Sequence, residues 1–308
     1  MNRIGFYAMG CEIEAFLDLD DAAADQVLDQ VPGWFYRWEK IFSRFLPDSE
    51  LSRVNRNAGS RTEVSMIFEE VLRQAVKAYQ TSGGLVSPAM LPALMAAGYT
   101  ESFDLLDGDQ SSPSVDETAV FDPGDIEFDP ADGKIFIPKG MQLDFGGIAK
   151  GWAAHQAMRQ LSEYGPALVN AGGDIAVGSP LNDGSPWDIH IADPYNEGTD
   201  LETFGIAALG VATSGANRRR WQQNGKWRHH IIDPRTNLPA ESDIVTATVL
   251  GPTVVDAEMA AKTVLILGSQ TGFVWLEDHE EFCGMAVLNN RQVLFDPTLE
   301  QIRKSYVS

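Results

Sequence analysis

The chain has few cysteines and a shortage of positive charge. Its two cysteines, Cys11 and Cys283, lie far apart in the 308 residues, which favours two reduced thiols, with one disulfide as the alternative. Lysine and arginine total 23 against 44 aspartate and glutamate residues, giving a formal net charge of −21. Because like charges repel, this charge argues against nonspecific binding to nucleic acid or to an anionic membrane face.

Long apolar runs are also missing. No stretch approaches the roughly 20 apolar residues that a membrane-spanning helix needs. The sequence AMGC at residues 8–11 resembles a lipoprotein cleavage box, but Arg3, Gly5 and Tyr7 interrupt the apolar core that a signal peptide requires. We therefore expect a cytoplasmic protein with no membrane partner.

The apolar residues that are present recur with both helical and strand periods. Helical spacing predicts helices over residues 21–44, 65–82, 148–162 and 253–267. Alternation predicts strands over residues 4–19, 167–171, 187–194, 209–215 and 244–251, and a hairpin over 283–295. Residues 9–11 are a candidate kink or point of approach to a ligand within the first of these strands. Consecutive strands mixed with helices predict an α+β fold with antiparallel or mixed sheets packed against helices. The acidic stretch 100–130 lacks this periodicity and is predicted to be a surface insertion.

Two glycine turns stand out between the predicted elements. Asp144 ends an extended run, and a Gly-Gly pair then leads into a helix with Lys150 in its first turn. Asp174 follows a second strand and a second Gly-Gly pair. The start of a helix presents unpaired amides to anions, and glycine lets the backbone approach a ligand closely, so this pattern predicts a phosphate or nucleotide site. Ordinary tight turns are the alternative, because neither turn is a Walker loop or a GxGxxG motif.

Only five histidines are available for acid–base chemistry. His229 and His230 are adjacent, and in a strand their side chains face opposite sides, so only one can enter a site. His230 is the better candidate for proton transfer or phosphate contact. A structural histidine at a sheet edge is an equal alternative.

Seven segments, in order and over nearly the whole chain, resemble the motifs of the ApbE family, the FAD:protein FMN transferases. They are MGC (9–11), SRFLPDSELSRVN (43–55), LDFGGIAKGWAAHQAM (143–158), ALVNAGGDIAVGS (167–179), ATSG (212–215), HHIIDPRTNLPA (229–240) and AEMAAKTVLILG (257–268).

The resemblance implies one ApbE-like domain over residues 1–308, built of two intertwined subdomains and related to the tunnelling fold. It implies that FAD binds, that magnesium assists, and that FMN is attached through a phosphoester to a threonine or serine of a target flavoprotein, with release of AMP. Two alternatives remain: an FAD pyrophosphatase, and an ApbE-like protein that binds FAD without transferring FMN.

The resemblance also implies roles for individual residues. His230 and Asp144 match the catalytic positions. The positions implied to contact the cofactor are Met9, Phe45, Asn55, Leu85, Val86, Ser87, Asp144, Lys150, Asp174, Thr213, Ile231 and Lys262.

The implied metal site departs from the family pattern. Gly147 matches the position whose carbonyl helps to hold magnesium, but the family Asp and Thr, four residues apart on the last helix, are here Glu258 and Lys262. Magnesium needs oxygen donors and an ammonium offers none, so these residues argue against it. Either the two form an ion pair on the helix surface, or the Lys262 ammonium lies where a metal would and neutralises part of the diphosphate.

Overall fold

A computed structural model describes residues 1–20, 23–106, 108–110, 120–129 and 131–307. The chain divides into two compact units. Unit 1 contains Met1–Phe35, Lys150–Asn217 and Glu241–Ser308, and unit 2 contains Tyr36–Ala149 and Arg218–Ala240. Among the described helices, none is both long and apolar enough to cross a membrane.

The strands are β1 (Asn2–Ala8), β2 (Cys11–Leu17), β3 (Arg61–Glu63), β4 (Asp109–Gln110), β5 (Glu127–Asp129), β6 (Lys134–Phe136), β7 (Ala167–Ala171), β8 (Asp174–Val177), β9 (Trp187–Ala192), β10 (Asp200–Ile206), β11 (Gly210–Gly215), β12 (Arg220–Gln223), β13 (Lys226–His229), β14 (Ile232–Asp233), β15 (Leu238–Pro239), β16 (Ile244–Gly251), β17 (Cys283–Leu288) and β18 (Val293–Phe295). The helices are α1 (Ala23–Leu28), α2 (Val31–Phe42), α3 (Glu50–Arg56), α4 (Met66–Thr81), α5 (Leu91–Ala96), α6 (Ala149–Leu161), α7 (Val254–Glu277) and α8 (Pro297–Val307).

Unit 1 is built on an eight-stranded antiparallel sheet in the order β1-β2-β7-β8-β11-β16-β17-β18. Helix α7 packs on β11 and β16. The β9–β10 ribbon and α8 pack against apolar side chains of the sheet, and Phe204 and Leu299 are fully buried there. The strands of the sheet and the helices around it confirm the predicted α+β class.

Unit 2 consists of small sheets and helices. Strand β6 lies between β3 and β5 in one sheet. In another, β12 lies between β13 and β4, antiparallel to β13 and parallel to β4. The predicted insertion over residues 100–130 contributes β4 and β5 to these sheets. Residues 107, 111–119 and 130 of that stretch lie outside the described residues.

Several predicted elements match the structure closely. The predicted helix over 148–162 is α6, and Ser65 and Ser82 cap the two ends of α4, predicted over 65–82. Strands β7 and β16 have the predicted bounds. The predicted helix over 253–267 ends where Gly268, with φ of 77°, kinks α7 before it continues to Glu277.

The single strand predicted over residues 4–19 is wrong. The structure has a hairpin of β1 and β2 in which Ala8 pairs with Cys11. Met9 and Gly10 between them have positive φ values of 51° and 71°. Two successive residues with positive φ form the tight turn whose twist matches that of the flanking strands, so the chain reverses at this point.

The single helix predicted over residues 21–44 is also wrong, and its first two residues lie outside the described part. Helix α1 ends at Leu28 and α2 begins at Val31. Pro32 has no N–H group, so it cannot donate to the Leu28 carbonyl as a continuous helix would require. Proline is tolerated in the first turn of a helix, and a new helix begins there instead.

Candidate functional site

Three of the sequence motifs meet in unit 1. The Gly172 amide donates to the Glu12 carbonyl at 3.0 Å, and the Thr213 amide donates to the Gly173 carbonyl at 3.3 Å. At Gly172, where φ is 65°, an added Cβ would lie 2.8 Å from Cys11 Cβ. Only glycine therefore allows the turn that contains Met9 to approach the Gly172–Gly173 turn, with the ATSG strand alongside.

Four charged side chains form a cluster beside these motifs. Lys150, in the first turn of α6, forms an ion pair with Asp174, and its Nζ lies 3.7 Å from Glu258 Oε1. Lys262 Nζ lies 3.6 Å from the same Glu258 oxygen. We call Lys150, Asp174, Glu258 and Lys262 the lysine–carboxylate cluster. It is largely removed from water, since the two carboxylate side chains are each 5 % exposed and the lysines 15 % and 16 %.

Burial controls the protonation of this cluster. Burial, followed by the neighbouring Glu258 carboxylate, raises the pKa of Asp174 from 3.8 to about 6, although Lys150 and Lys262 act in the opposite direction. Asp174 therefore carries its negative charge at neutral pH but is easier to protonate than an exposed aspartate.

Glu258 has one buried oxygen without a hydrogen bond inside the described part of the chain, namely Oε2. A Cβ added to Gly151 would lie 2.8 Å from this oxygen, so glycine lets the start of α6 approach Glu258. An acceptor that is buried without a donor is costly, and a ligand hydroxyl would satisfy it.

The lysine–carboxylate cluster does not fit a magnesium ion. Two of its four side chains are ammonium groups, which offer no lone pair and repel a cation. The next residue with a hydroxyl, Thr263, donates it to the Met259 carbonyl at 2.9 Å. Within the described ranges, no group of three or more His, Cys, Asp and Glu side chains lies close enough together to hold a metal ion. Gly147, whose carbonyl the resemblance assigns to the metal, belongs to unit 2.

Unit 2 contains a second cluster, centred on Arg44. Arg44 Nε lies 3.0 Å from Asp144 Oδ2, and a terminal nitrogen donates to the Tyr99 carbonyl at 2.8 Å. The guanidinium carbon lies 4.1 Å from the centre of the Phe45 ring and 4.6 Å from that of Tyr99. The Tyr99 ring in turn stacks on Trp221 at 5.2 Å. We call these five residues the arginine–aromatic cluster.

This cluster leaves one aromatic ring accessible. The Phe45 side chain is 38 % exposed, whereas Tyr99 and Trp221 are buried. Burial raises the pKa of Tyr99, so its hydroxyl stays protonated at neutral pH. The side chain of Arg44 is only 7 % exposed. It contacts both Asp144 and Phe45, which the sequence analysis predicted as site residues.

Backbone contacts connect further predicted residues of unit 2 to Asp144. Asn55 donates its side-chain amide to the Leu143 carbonyl at 2.9 Å and accepts from the Leu143 amide at 2.7 Å. The Asp144 amide donates to the carbonyl of Pro88, the residue after Ser87, at 2.8 Å. Leu85 and Val86, which the resemblance places at the cofactor, are buried in the core.

The two adjacent histidines have different environments. His229 Nε2 lies 3.0 Å from the Ala240 carbonyl, and its Nδ1 accepts from the Ile231 amide at 3.3 Å. A carbonyl only accepts, so Nε2 carries the proton and the ring is neutral; burial, together with Arg220 and Arg228, lowers the pKa of His229. His230 follows the end of β13 and is half-buried, and Ile231 beyond it is buried.

The structure thus groups the predicted residues by unit. Unit 1 brings together Lys150, Asp174, Glu258 and Lys262, with the turn of Met9 and the strand of Thr213 adjoining the Gly172–Gly173 turn. Unit 2 groups Phe45, Asn55 and Asp144. Sequence reasoning missed Arg44 and Trp221. Arg44 was within a motif segment, and an arginine followed by an aromatic residue was a usable signal, whereas nothing local marked Trp221.

Comparison with known proteins identifies the family of the chain. The family model described as "ApbE family" matches residues 9–286. A FAD:protein FMN transferase of Treponema pallidum is 28 % identical over 295 residues, which cover 90 % of this chain and 80 % of the relative. The enzyme of the same name from Haemophilus influenzae is 28 % identical over 243 residues, covering 73 % and 68 %.

Solved structures show the same fold. The ApbE protein from Thermotoga maritima superposes with a TM-score of 0.87 at 20 % identity, over 98 % of this chain and 99 % of the other. The Pseudomonas stutzeri flavinyl transferase ApbE, in its apo form, gives 0.83 at 22 % identity, over 98 % and 96 %. With its fold shared over almost the whole length and the family model matched from Met9 to Ala286, the chain belongs to the ApbE family.

Proposed function

We propose that this protein transfers FMN from FAD to the hydroxyl of a threonine or serine in a target flavoprotein and releases AMP. The observation that carries the proposal is the buried lysine–carboxylate cluster beside the Gly172–Gly173 turn, where two ammonium groups lie within 3.7 Å of the same Glu258 oxygen. Membership of a family whose relatives are named FAD:protein FMN transferase supports it.

The bonds in this reaction are those of a phosphoryl transfer. The acceptor hydroxyl oxygen attacks the phosphorus on the riboflavin side of FAD. The bond from that phosphorus to the bridging oxygen breaks, and AMP leaves with the bridging oxygen. The hydroxyl proton must be removed, and the charge that develops on the diphosphate oxygens must be stabilised.

His230 is the proposed general base. His229 uses both of its ring nitrogens for internal hydrogen bonds, so it cannot exchange a proton with substrate without losing them. His230 is half-buried just after β13, and an imidazole can both accept and donate a proton, as proton transfer requires. The carboxylate of Asp144, held by Arg44, is proposed to act on the nucleotide side by orienting it.

Lys150 and Lys262 are proposed to stabilise the diphosphate without a metal ion. In a largely buried cluster an ammonium acts more strongly on an anion than it would in water. Because Asp174 and Glu258 hold the two lysines in place, the positive charges are oriented before FAD arrives. The proposed reaction therefore does not depend on magnesium.

An FAD-binding protein without transferase activity is the second candidate, favoured by the same replacement of oxygen donors by ammonium groups. FAD hydrolysis to FMN and AMP is the third. The deciding experiment incubates the protein with FAD and a threonine-containing acceptor protein in the presence of a chelator. AMP is measured by chromatography, and covalent flavin by fluorescence of the denatured acceptor.

Each outcome identifies one activity. AMP together with covalent flavin, both lost in His230→Ala, supports transfer. AMP with free FMN supports hydrolysis, and bound FAD without AMP supports the binding protein. Either of the last two results would overturn the proposed function.

A cytoplasmic location is proposed on the state of the cysteines. No disulfide joins Cys11 and Cys283. Burial raises the pKa of Cys283 to about 12, so this thiol stays protonated and unreactive at neutral pH. In reducing compartments such as the cytoplasm, cysteine thiols stay reduced and disulfides are rare.

A further inference from the structure

A hairpin in unit 2 carries an unusual concentration of positive charge. Strands β12 and β13 pair antiparallel across Asn224 and Gly225, whose φ values of 51° and 70° form a tight turn. Residues 218–230, RRRWQQNGKWRHH, contain five of the 23 basic residues of the chain and no acidic residue, although the net charge of the whole chain is −21.

One side of the hairpin is fixed to the rest of unit 2. Trp221 Nε1 donates to the Ala97 carbonyl and the Gln223 side-chain amide donates to the Ala96 carbonyl, both at 2.7 Å. The Gly225 amide donates to the Asp109 carboxylate at 3.0 Å. These contacts hold the hairpin in one position, so it presents a preformed surface rather than a loop that must be ordered on binding.

The other side is open and combines charge with an aromatic ring. Trp227 is 59 % exposed, and the Arg220 guanidinium carbon lies 4.8 Å from the centre of its ring. Arg218, just before β12, is also exposed, whereas Lys226 is opposite Gln223 on the fixed side, at the exposed end of the hairpin. Exposed tryptophan and arginine side chains are enriched at the centres of protein interfaces, where they contribute most of the binding energy.

Most basic side chains of the hairpin lack an ion-pair partner in the described part of the chain. Across the residues that the structure describes, Arg218, Arg220, Lys226 and Arg228 form no ion pair. Arg220 and Arg228 contribute to the lowered pKa of His229, after its burial, as uncompensated positive charges would. A surface that keeps its positive charge in a strongly acidic protein attracts a local negative group without attracting polyanions to the molecule as a whole.

We propose that the β12–β13 hairpin binds an acidic segment of the protein that receives FMN. The inference rests on the proposed function and names the chemistry of the partner. Each strand has four residues and spans about 13 Å, so the surface fits an extended segment of a few residues. Aspartate or glutamate side chains of that segment would pair with Arg218 and Arg220, and an apolar side chain would pack on Trp227. Because His230 directly follows β13, a segment bound here brings its neighbouring hydroxyl-bearing residue toward the proposed base.

The test uses fluorescein-labelled peptides of twelve residues with one threonine, flanked either by Asp and Glu or by Asn and Gln. Anisotropy measures their binding to the full chain at low and high salt, and the same peptides serve as acceptors with FAD. The variants are Arg218→Glu with Arg220→Glu, and separately Trp227→Ala. The matched control is Lys139→Glu with Arg159→Glu, which changes two exposed residues elsewhere and gives the same net charge.

We expect the acidic peptide to bind at least about tenfold more tightly than the neutral one, because two or more charge pairs contribute. The hairpin double variant should lose this preference, Trp227→Ala should weaken binding several-fold, and the control should keep both. Circular dichroism checks that each variant is folded.

Four results would overturn the proposal. The first three are equal binding of both peptides, equal losses in the hairpin variant and the control, and tighter binding of a dodecameric oligothymidylate than of the acidic peptide. A matching loss of FAD affinity in the hairpin variant would also overturn it, because the hairpin would then belong to the FAD site. AMP release is recorded separately. Peptide binding with no AMP release overturns the transfer reaction but supports the acidic docking surface.

Discussion

The Lys262 ammonium lies 3.6 Å from Glu258 Oε1, one turn further along α7, and neither side chain is on an open helix surface. The two residues form the i, i+4 ion pair that one interpretation of the sequence predicted, but the pair is largely buried rather than exposed on the helix surface. Under the proposed function, the buried Lys262 ammonium supplies the positive charge that a metal ion would otherwise bring to the diphosphate.

The first prediction concerns FAD affinity and magnesium. In titration calorimetry, FAD should bind the native protein equally well with magnesium and with a chelator. Lys262→Met should weaken FAD binding by about tenfold or more, because a hydrogen bond to a charged group contributes about 1.5–3 kcal/mol. Lys139→Met, at an exposed lysine, is the matched control and should leave affinity unchanged. A tenfold gain of affinity on adding magnesium to the native protein would contradict the prediction.

The second prediction concerns stability and pH. The folded-state pKa of Asp174 is raised from 3.8 to about 6, so between these pH values the folded protein binds the proton that the unfolded chain has lost. The stability that Asp174 contributes is therefore complete below about pH 4 and falls as pH rises toward 6. In urea unfolding, the free energy of unfolding of the native protein relative to Asp174→Asn should fall on the order of 2 kcal/mol over this window.

Asp183→Asn provides a control with the opposite sign. The Ser185 hydroxyl and amide lower the pKa of Asp183, so its small contribution to stability is lost as pH falls. If the difference between the native protein and Asp174→Asn were independent of pH from 4 to 6, Asp174 would not be the buried, easily protonated group of the cluster.

Much of the fold could be predicted from the sequence, because many elements are specified by residues within the element itself. Helix α6 and strands β7 and β16 have apolar residues at the period of their own structure, and capping serines mark α4. The β1–β2 reversal was missed because its alternation continues through the turn. The only local signal was Gly10, and positive φ at Met9 is uncommon for a residue with a side chain.

The site could be predicted from the sequence only in part, because its contacts join residues that are far apart in the chain. Motif glycines and charges identified Lys150, Asp174, Glu258 and Lys262 individually, but their contacts depend on bringing α6, β8 and α7 together. The stacking of Trp221 on Tyr99 joins residues 122 positions apart, and no periodicity reports such a contact.

The third prediction concerns the ion pair of Arg44 and Asp144. Arg44→Met should lower the free energy of unfolding by about 3 kcal/mol, because it leaves a carboxylate without its cation in a largely buried place. Adding Asp144→Asn to Arg44→Met should recover part of the loss, which a double-mutant cycle in urea measures. Arg44→Lys keeps the charge but loses the planar group between Phe45 and Tyr99, so it should recover less than half. Additive effects of the two single changes would show that the pair is not coupled.

The fourth prediction concerns the contact that sets the position of α7. A Cβ added to Gly210 would lie 2.0 Å from the Val254 nitrogen, at the start of the helix that carries Glu258 and Lys262. Gly210→Ala should therefore displace the start of α7 or separate it from β11, at a cost of about 3 kcal/mol. Gly5→Ala is the matched change in another strand, where the nearest atom is 3.9 Å away, and should alter stability by less than about 0.5 kcal/mol.

The same variant tests whether the lysine–carboxylate cluster depends on that packing. Since Glu258 lies one turn beyond Val254, displacement of the helix start moves the carboxylate away from Lys150 and should weaken FAD binding as well as stability. Gly5→Ala should leave both unchanged. If Gly210→Ala lost stability but kept native FAD affinity at a temperature where it is fully folded, the position of α7 would not control the site, and the cluster would have to be held by α6 and β8 alone.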